Sequence, residues 1–289
     1  MNGILLINKD KGCTSRDVVN EVSKILGTKK IGHTGTLDPM ATGVLVLCIG
    51  NATKLNEILT SKYKEYEAEV TLGILTDTLD ITGNIVKEEI ALFNKEQIEV
   101  ALQKIKGKYV QETPIYSAVK VNGKKLYEYA RNGEEVVLPK REVDIKEIEL
   151  ISDIKYIDNK TIFKIRCLVS KGTYIRALVN DIAKILGTIG TMSELKRTKQ
   201  GNFDINDCYH IDDVKKGNYK LISIKECLSD YNKVKVSLEL EKRIINGSIL
   251  DNNYNGEVLF ISNSDELLAL YQVYEKDNTK IKPWKMFKK

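Results

Sequence analysis

The order of apolar and polar residues along the chain predicts a mixture of strands and helices. Continuous or alternating apolar positions are typical of strands and occur in the segments 3–9, 44–49, 65–72, 143–150 and 162–169. Apolar residues at helical spacing predict helices over 16–26, 53–59, 95–105 and 173–186. Because strands and helices do not alternate strictly, the pattern favours an α+β fold.

A change of pattern near residues 229–232 predicts a domain boundary. Beyond it, short apolar runs alternate with Asn/Gly turns, at 234–240, 258–261 and 267–273. We therefore predict a larger domain over 1–230 and a small β-rich domain over 231–289. The lysine-rich end of the chain reads as a frayed tail or, because it contains Trp284 and Phe287, as a segment that docks on the small domain.

The composition is that of an ordinary globular protein, and it narrows the possible chemistry. Hydrophobic residues make up 42% and charged residues 29% of the 289, and no apolar run reaches membrane-spanning length. The cysteines form no C-x-x-C pair, the two histidines are far apart, and no G-x-G-x-x-G follows a strand. We expect a cytoplasmic protein that uses neither a metal nor a cofactor.

The charge of the chain gives a weak indication of its partner. The net charge of +5 is compatible with binding a polyanion, although any soluble domain can carry it. Arginine is scarce beside lysine and occurs at positions 16, 131, 141, 166, 176, 197 and 243. In such a chain, an arginine is expected where a planar, bidentate cation is needed.

Residues 32–43 are the most distinctive segment, with the single acid Asp38 among glycines, threonines and a proline. The glycines permit unusual backbone angles, and Pro39 excludes a helical conformation at Asp38. A shaped loop that enters a buried strand often carries a catalytic group, although a plain Asp-Pro turn is the more frequent structure. A phosphate-binding P-loop is excluded, because His33 stands where that motif needs lysine.

Residues 32–43, which read GHTGTLDPMATG, resemble the catalytic motif of the TruB-type tRNA pseudouridine synthases. Other segments resemble further motifs of that family in the same order: 3–15, 113–131 and 170–176. The resemblance extends from Gly3 to about Arg197. Asp10 and Val46 stand where the family usually has proline, and both departures affect the backbone while leaving the proposed catalytic groups in place.

The resemblance implies a fold as well. It implies a mixed, largely antiparallel sheet flanked by helices, as in pseudouridine synthases, and a PUA-like RNA-binding domain over 231–289. It also implies that an insertion at about 108–140 grips RNA. The segment 111–133 is rich in lysine and tyrosine, which suit phosphate contacts and base stacking. From the residues alone, a solvated hairpin with packed tyrosines is an equal alternative.

The same resemblance assigns roles to individual residues. It implies that Asp38 is the catalytic carboxylate and that Arg176 pairs with it. Tyr66 would stack on the target uracil, with a part in removing the C5 proton left open, and Leu195 would form the pocket wall. By pattern alone, Tyr66 and Leu195 are core residues. Implied RNA contacts are His33, which would hold the RNA when the base is flipped out, Lys9 and Lys171 at phosphates, Lys120 and Tyr116.

The implied activity is the isomerisation of uridine-55 in the T-loop of tRNA to pseudouridine, after the base is flipped out of the RNA. This reaction requires no cofactor and no metal, and whether Asp38 attacks C1′ or assists elimination is left open. We expect the T-arm of tRNA as the partner, no membrane, and a monomer. The alternatives are a pseudouridine synthase for another RNA uridine and a non-catalytic RNA-binding or RNA-folding module.

Overall fold

The computed structural model describes residues 1–254 and 256–288, and its centre is a mixed, mostly antiparallel sheet. The strands are β1 (Gly3–Lys9), β2 (Ile31–His33), β3 (Thr42–Ile49), β4 (Lys64–Leu72), β5 (Ile74–Thr76), β6 (Ile85–Glu88), β7 (Gly107–Glu112), β8 (Lys120–Val121), β9 (Lys124–Lys125), β10 (Lys140–Leu150), β11 (Lys155–Ile157), β12 (Lys160–Val169), β13 (Gly190–Gln200), β14 (Phe203–Asp204), β15 (Asn232–Lys235), β16 (Leu250–Asp251), β17 (Val258–Ile261), β18 (Leu267–Tyr274) and β19 (Asp277–Met286). The helices are α1 (Ser15–Leu26), α2 (Asn56–Thr60), α3 (Lys95–Ile105), α4 (Leu126–Asn132), α5 (Ile175–Ile185), α6 (Ile211–Lys215), α7 (Ile224–Cys227) and α8 (Leu238–Ile245). The predicted α+β class is confirmed.

The central sheet consists of two antiparallel halves that meet at a short parallel contact. Its order is β1-β3-β13-β4-β12-β10-β7, with β2, β11 and β14 added beside β3, β12 and β13. The parallel neighbours are β3 and β13, which pair Lys196 with Thr42 and Arg197 with Gly43. The loop that precedes β3 therefore enters the sheet where its two halves join.

Gly43 allows the two halves to approach each other. Its φ of +101° lies in the left-handed region, which side chains with a Cβ rarely adopt. A Cβ atom at this position would lie 2.2 Å from the carbonyl oxygen of Arg197. Strand pairing, and not only the shape of the preceding loop, therefore requires a glycine at this end of the 32–43 segment.

Helices α1, α3 and α5 cover one face of the central sheet. A capping box of Thr14 and Asp17 begins α1, and one of Asn94 and Gln97 begins α3. The alternation in β4 points four side chains into the core beneath these helices: Tyr66, Ala68, Val70 and Leu72. In residues 1–254 and 256–288, no helix is long and apolar enough to cross a membrane.

The C-terminal strands form a second sheet on the opposite face, in the order β15-β17-β18-β19-β16. Side chains from both sheets pack into one cluster, which we call the shared core: Ile4, Leu6, Val44, Val46, Cys48, Leu259, Ile261 and Leu270. Trp284 and Phe287 pack against it. The alternative of a frayed tail is therefore wrong up to residue 288, because residues 277–286 form β19, whereas Lys289 lies outside the described residues.

Two local predictions differ from the structure. The predicted strand over 234–240 is wrong, because α8 begins at Leu238, where the Ser237 hydroxyl accepts a hydrogen bond from the N–H of Leu240. The central strand β13 has no counterpart among the predicted elements. Two bulges, at 192–194 and 197–199, interrupt its alternation, so its apolar residues do not recur at every second position.

Candidate active site

The loop over residues 34–41 carries Asp38 and is held by contacts on both sides. The Ser15 hydroxyl accepts from the N–H of Leu37 at 2.8 Å and donates to its carbonyl at 3.2 Å. The N–H of Ala41 donates to the carbonyl of Asp38 at 3.0 Å. Leu37 is buried, whereas the Asp38 side chain is 35% exposed. The loop therefore presents the carboxylate to solvent while its neighbours stay fixed in the core.

Arg176, in the first turn of α5, reaches this carboxylate from a distant part of the sequence. Its Nε lies 3.0 Å from Asp38 Oδ2, and its Nη2 donates to Oδ1 at 3.4 Å. Nη1 donates to the carbonyl of Thr78 at 2.8 Å, and Nη2 also donates to that of Tyr116 at 2.9 Å. The planar guanidinium is buried and bonded to three segments, so its position is fixed and it orients the Asp38 carboxylate.

A second carboxylate, Asp80, faces the same guanidinium. Its Oδ2 lies 3.7 Å from Arg176 Nε, and its side chain is 8% exposed. Its Oδ1 accepts hydrogen bonds from the Thr78 hydroxyl and from the N–H and hydroxyl of Thr82, at 3.0, 3.0 and 2.5 Å. The sequence analysis missed this residue, since a run of Asp and Thr reads as a turn. No group of three metal-ligating side chains occurs in residues 1–254 and 256–288.

Lys9 does not have the exposed ammonium group that the predicted phosphate contact requires. The residue is 1% exposed. Its Nζ donates to the carbonyls of Asp10, Cys13 and Pro39 at 2.9, 2.7 and 3.4 Å, which occupies its three protons. Burial lowers the pKa of this ammonium. The structure thus corrects the prediction: Lys9 supports the backbone next to Asp38 from inside the protein.

Tyr66 lies on β4 with its ring buried and its hydroxyl directed at Arg197. Arg197 Nη1 lies 3.5 Å from the phenol oxygen, and the guanidinium carbon lies 6.0 Å from the ring centroid. The two residues are opposite each other in the register of β4 and β13. The sequence analysis gave Arg197 no role, although the scarcity of arginine in this chain is a signal that could have identified it.

His33 ends β2 with a partly buried ring. Burial, with Arg16 and Arg197 nearby, lowers the pKa of its imidazole. The neutral ring is therefore the main form at pH 7. Its Nδ1 atom is buried and has no hydrogen-bond partner among the residues that the structure describes. A neutral ring is suited to filling space or stacking against a base and poorly suited to pairing with a phosphate.

A cavity of about 200 Å³ opens between the two halves of the central sheet. Leu195 of β13 and Ala68 of β4 line one side of it, and Met40 and Thr42 line the other. Lysine and glutamate side chains complete the lining: Lys11, Glu67, Glu69, Lys164, Glu194 and Lys196. Leu195 thus lies at the wall of a cavity. That the target base occupies this cavity stays a prediction.

The predicted RNA-gripping insertion, residues 108–140, contains β7, the hairpin of β8 and β9, and α4. Within it, the nitrogen of Lys124 lies 4.7 Å from the ring centroid of Tyr129, and the guanidinium carbon of Arg131 lies 5.2 Å from that of Tyr127. These rings are engaged by cations of the same segment. That the segment grips RNA stays a prediction.

The other three predicted RNA contacts differ in exposure. Lys120 at the start of β8 and Lys171 in the turn before α5 are exposed, as a phosphate contact requires. Tyr116 is half-buried, and its carbonyl accepts the hydrogen bond from Arg176. The structure therefore connects the insertion directly to the cation that holds Asp38.

Two family models match the chain. The model described as "TruB family pseudouridylate synthase (N terminal domain)" matches residues 23–175. The model described as "tRNA pseudouridylate synthase B C-terminal domain" matches residues 176–231. Among curated proteins, the tRNA pseudouridine synthase B of Staphylococcus aureus strains MSSA476 and JH9 is in each case 43% identical over 302 residues, which span 99% of this chain and 99% of the relative.

Solved structures share the fold. A chain in "Crystal Structure of a Cbf5-Nop10-Gar1 Complex" matches with a TM-score of 0.69 and 24% identity. A chain in "Structure of H/ACA RNP bound to a substrate RNA containing 2'-deoxyuridine" matches with a TM-score of 0.69 and 22% identity. Each match covers 99% of this chain and 84% of the other. These two matches show the fold alone. The family models and the full-length relatives show that this chain belongs to the TruB family of pseudouridylate synthases.

Proposed function

We propose that this chain converts uridine-55 in the T-loop of tRNA to pseudouridine, with Asp38 as the catalytic carboxylate. The observation that carries this proposal is the partly exposed Asp38 carboxylate, which lies 3.0 Å from the Arg176 guanidinium in the loop that joins the two halves of the sheet. The substrate class is supported by relatives that match the whole chain and are named tRNA pseudouridine synthase B.

The reaction rearranges one nucleoside without adding or removing atoms overall. The bond between C1′ and N1 breaks, the base turns, and a bond between C1′ and C5 forms. N1 gains a proton, and C5 loses one to solvent. Positive charge develops at C1′ as in glycoside cleavage, and a carboxylate beside that carbon stabilises the charge or bonds to it. Arg176 fixes the plane of the Asp38 carboxylate, which remains 35% exposed.

The target base must leave the stacked T-loop before this chemistry begins. In our proposal, Tyr66 stacks on the extruded uracil, and Leu195 forms the apolar wall beside it. The neutral ring of His33 occupies space that the base vacates in the RNA. Lys120 and Lys171, both exposed, contact phosphates.

We propose to test this function by measuring tritium release from T-arm RNA labelled at C5 of its uridines, with a second RNA in which cytidine replaces the target. The wild-type protein should release the label, and Asp38→Asn should be slower by at least about a thousandfold, because the negative charge beside C1′ is lost. The matched control is Asp153→Asn, a loop aspartate that is exposed on the surface between β10 and β11. It should retain the wild-type rate.

Each other outcome contradicts part of the proposal. Full activity of Asp38→Asn would refute the assigned carboxylate. Release from a different uridine, unchanged when cytidine replaces the target, would favour the alternative of another RNA site. Tight RNA binding without any release would favour a non-catalytic binding module.

We further propose that the enzyme acts as a monomer in the cytoplasm, without a cofactor, and that the T-arm alone is a sufficient substrate. Sedimentation should then show one 32.7 kDa chain per T-arm RNA. A complex with two protein chains would contradict the monomer, and activity on whole tRNA alone would contradict the sufficiency of the T-arm.

A further inference from the structure

Arg197 joins the two ends of the loop that carries Asp38. It is the largest side chain that is fully buried in residues 1–254 and 256–288. Its Nε donates to the carbonyl of Val44 at 2.6 Å, and its Nη2 donates to that of Gly35 at 3.0 Å. Gly35 precedes Asp38 in the loop, and Val44 follows it in β3. The third nitrogen, Nη1, is the one that lies 3.5 Å from the phenol oxygen of Tyr66.

The positive charge of Arg197 has no carboxylate within 4.0 Å among the described residues, whereas Arg176 has two. Burial of a charge against neutral carbonyls is unfavourable for folding, and a neutral side chain of similar size would avoid that penalty. The charge also acts on titratable groups around the loop: it helps to lower the pKa of His33, of Lys9 and of Lys64. Stability alone therefore gives a poor account of an arginine at this position.

We propose that Arg197 is a positioning residue that holds the Asp38 loop and the Tyr66 hydroxyl in one fixed arrangement. This inference rests on the proposed function. Arg197 is fully buried and acts through Gly35, Val44 and Tyr66. Since a displacement of reacting groups by about 1 Å lowers a rate by roughly a hundredfold, loss of the planar fork slows the isomerisation. RNA binding depends on surface groups, so a variant that lacks this planar fork keeps its affinity for RNA.

The variant that tests this role is Arg197→Lys, which keeps the charge but lacks the planar fork that reaches three acceptors. The matched control is Arg166→Lys on β12, where the guanidinium is 43% exposed and pairs with Glu67 and Glu149. Three quantities are measured: the unfolding temperature, the affinity for T-arm RNA, and the single-turnover rate of tritium release. We expect folded Arg197→Lys to bind RNA within about threefold of wild type and to react about a hundredfold more slowly.

Two kinetic results would overturn the proposal. One is a folded Arg197→Lys variant that reacts at the wild-type rate. The other is a parallel loss of RNA affinity and rate, which would make Arg197 a determinant of binding. If the wild-type protein releases no tritium at all, the proposed function fails instead. The spectroscopic measurement below then still decides whether the contact exists.

A second measurement does not require Arg197→Lys to fold. The side-chain ¹⁵N signals of the buried Arg197 guanidinium can be compared between wild type and Tyr66→Phe, which removes only the hydroxyl. We expect the Nη signals to shift and the signals of the exposed Arg166 to stay in place. Identical Arg197 signals in the two proteins would show that the guanidinium does not contact the hydroxyl, and the proposal would be wrong.

Discussion

Buried cations surround the Asp38 loop, and they are neutralised to different degrees. Arg176 faces the carboxylates of Asp38 and Asp80, whereas Lys9 and Arg197 are bonded to backbone carbonyls. A carbonyl satisfies a donor but carries no net charge to cancel that of the cation. The loop therefore lies in a positive local field, which favours the approach of an RNA strand.

Lys64 gives this region a pH dependence that can be measured as stability. Burial, with Arg197 and Lys171 nearby, lowers its pKa from 10.5 to about 8. Between these values the unfolded chain binds a proton that the folded chain does not, so the free energy of unfolding should rise with pH from about 8 to 10.5. We expect this residue to contribute a rise of no more than about 3 kcal/mol.

Urea unfolding of wild type and Lys64→Met at several pH values checks this prediction. The variant lacks the titrating group, so its free energy of unfolding should rise less over the same pH interval. Other groups titrate there as well, and the comparison of the two proteins removes their contribution. Parallel curves for the two proteins would contradict the prediction.

The sequence could predict some of these residues because their surroundings are unusual or resemble a family motif. Asp38 stands alone in a glycine-rich segment, and Arg176 lies in a motif, so both could be named in advance. Asp80 could not, since its pattern is that of a turn. Arg197 lies in the pattern of a charged strand, and the scarcity of arginine was the signal that could have identified it. Lys9 was placed wrongly, because its position after a strand does not reveal the three carbonyls that bury it.

At the level of elements, the junction between β3 and β13 determines where the loop begins and ends. Gly43→Ala should disrupt it, because the added Cβ would lie 2.2 Å from the Arg197 carbonyl at a φ of +101°. We expect a loss of about 3 kcal/mol or more in the free energy of unfolding, together with a loss of activity.

The control for this change is Gly123→Ala, in the turn between β8 and β9. Gly123 also has a positive φ, of +82°, but a Cβ there would meet no atom within 4 Å. Backbone strain alone should then lower the free energy of unfolding by about 1 kcal/mol. Chemical denaturation of both variants measures how much free energy of unfolding each one loses. Equal losses would mean that the strand junction has no special requirement for glycine.

The elements with strong periodicity were predictable, and the site elements with weak periodicity were not. Helix α5 has a continuous apolar stripe, and its residues 175–185 lie within the predicted 173–186. Tyr174 is its N-cap, so the helix begins two residues later than predicted. Strand β13 escaped prediction because its bulges move side chains between faces, and the same bulges shape the ends of the segment that carries Leu195 and Arg197.

At the scale of the whole molecule, the shared core joins the two sheets into one packed unit. The ion pair of Glu57 and Lys285, at 2.6 Å, and a hydrogen bond from Lys54 to the carbonyl of Met286 lie beside it. The apolar runs predicted strands over 3–9 and 44–49, but they could not reveal that C-terminal strands cover the second face of these strands. The PUA-like nature of those strands and the boundary after residue 230 stay predictions.

This packing predicts that the two sheets unfold together. Trp284→Ala removes a side chain that packs against the shared core, so it should lower the single unfolding temperature of the whole protein, with a loss of about 2 kcal/mol or more. Calorimetry of this variant beside Val137→Ala, an 89% exposed control, provides the measurement. Two separate transitions in either protein would show that the sheets are independent.

The hydrogen bond from Arg176 to the carbonyl of Tyr116 has a consequence for how RNAs are told apart. The insertion that is proposed to hold the RNA and the carboxylate that is proposed to act on it share one guanidinium. A poorly fitting RNA that displaces the insertion also displaces the Asp38 carboxylate. Under these proposals the enzyme distinguishes RNAs after binding them: an incorrect RNA can bind tightly and still be released unmodified.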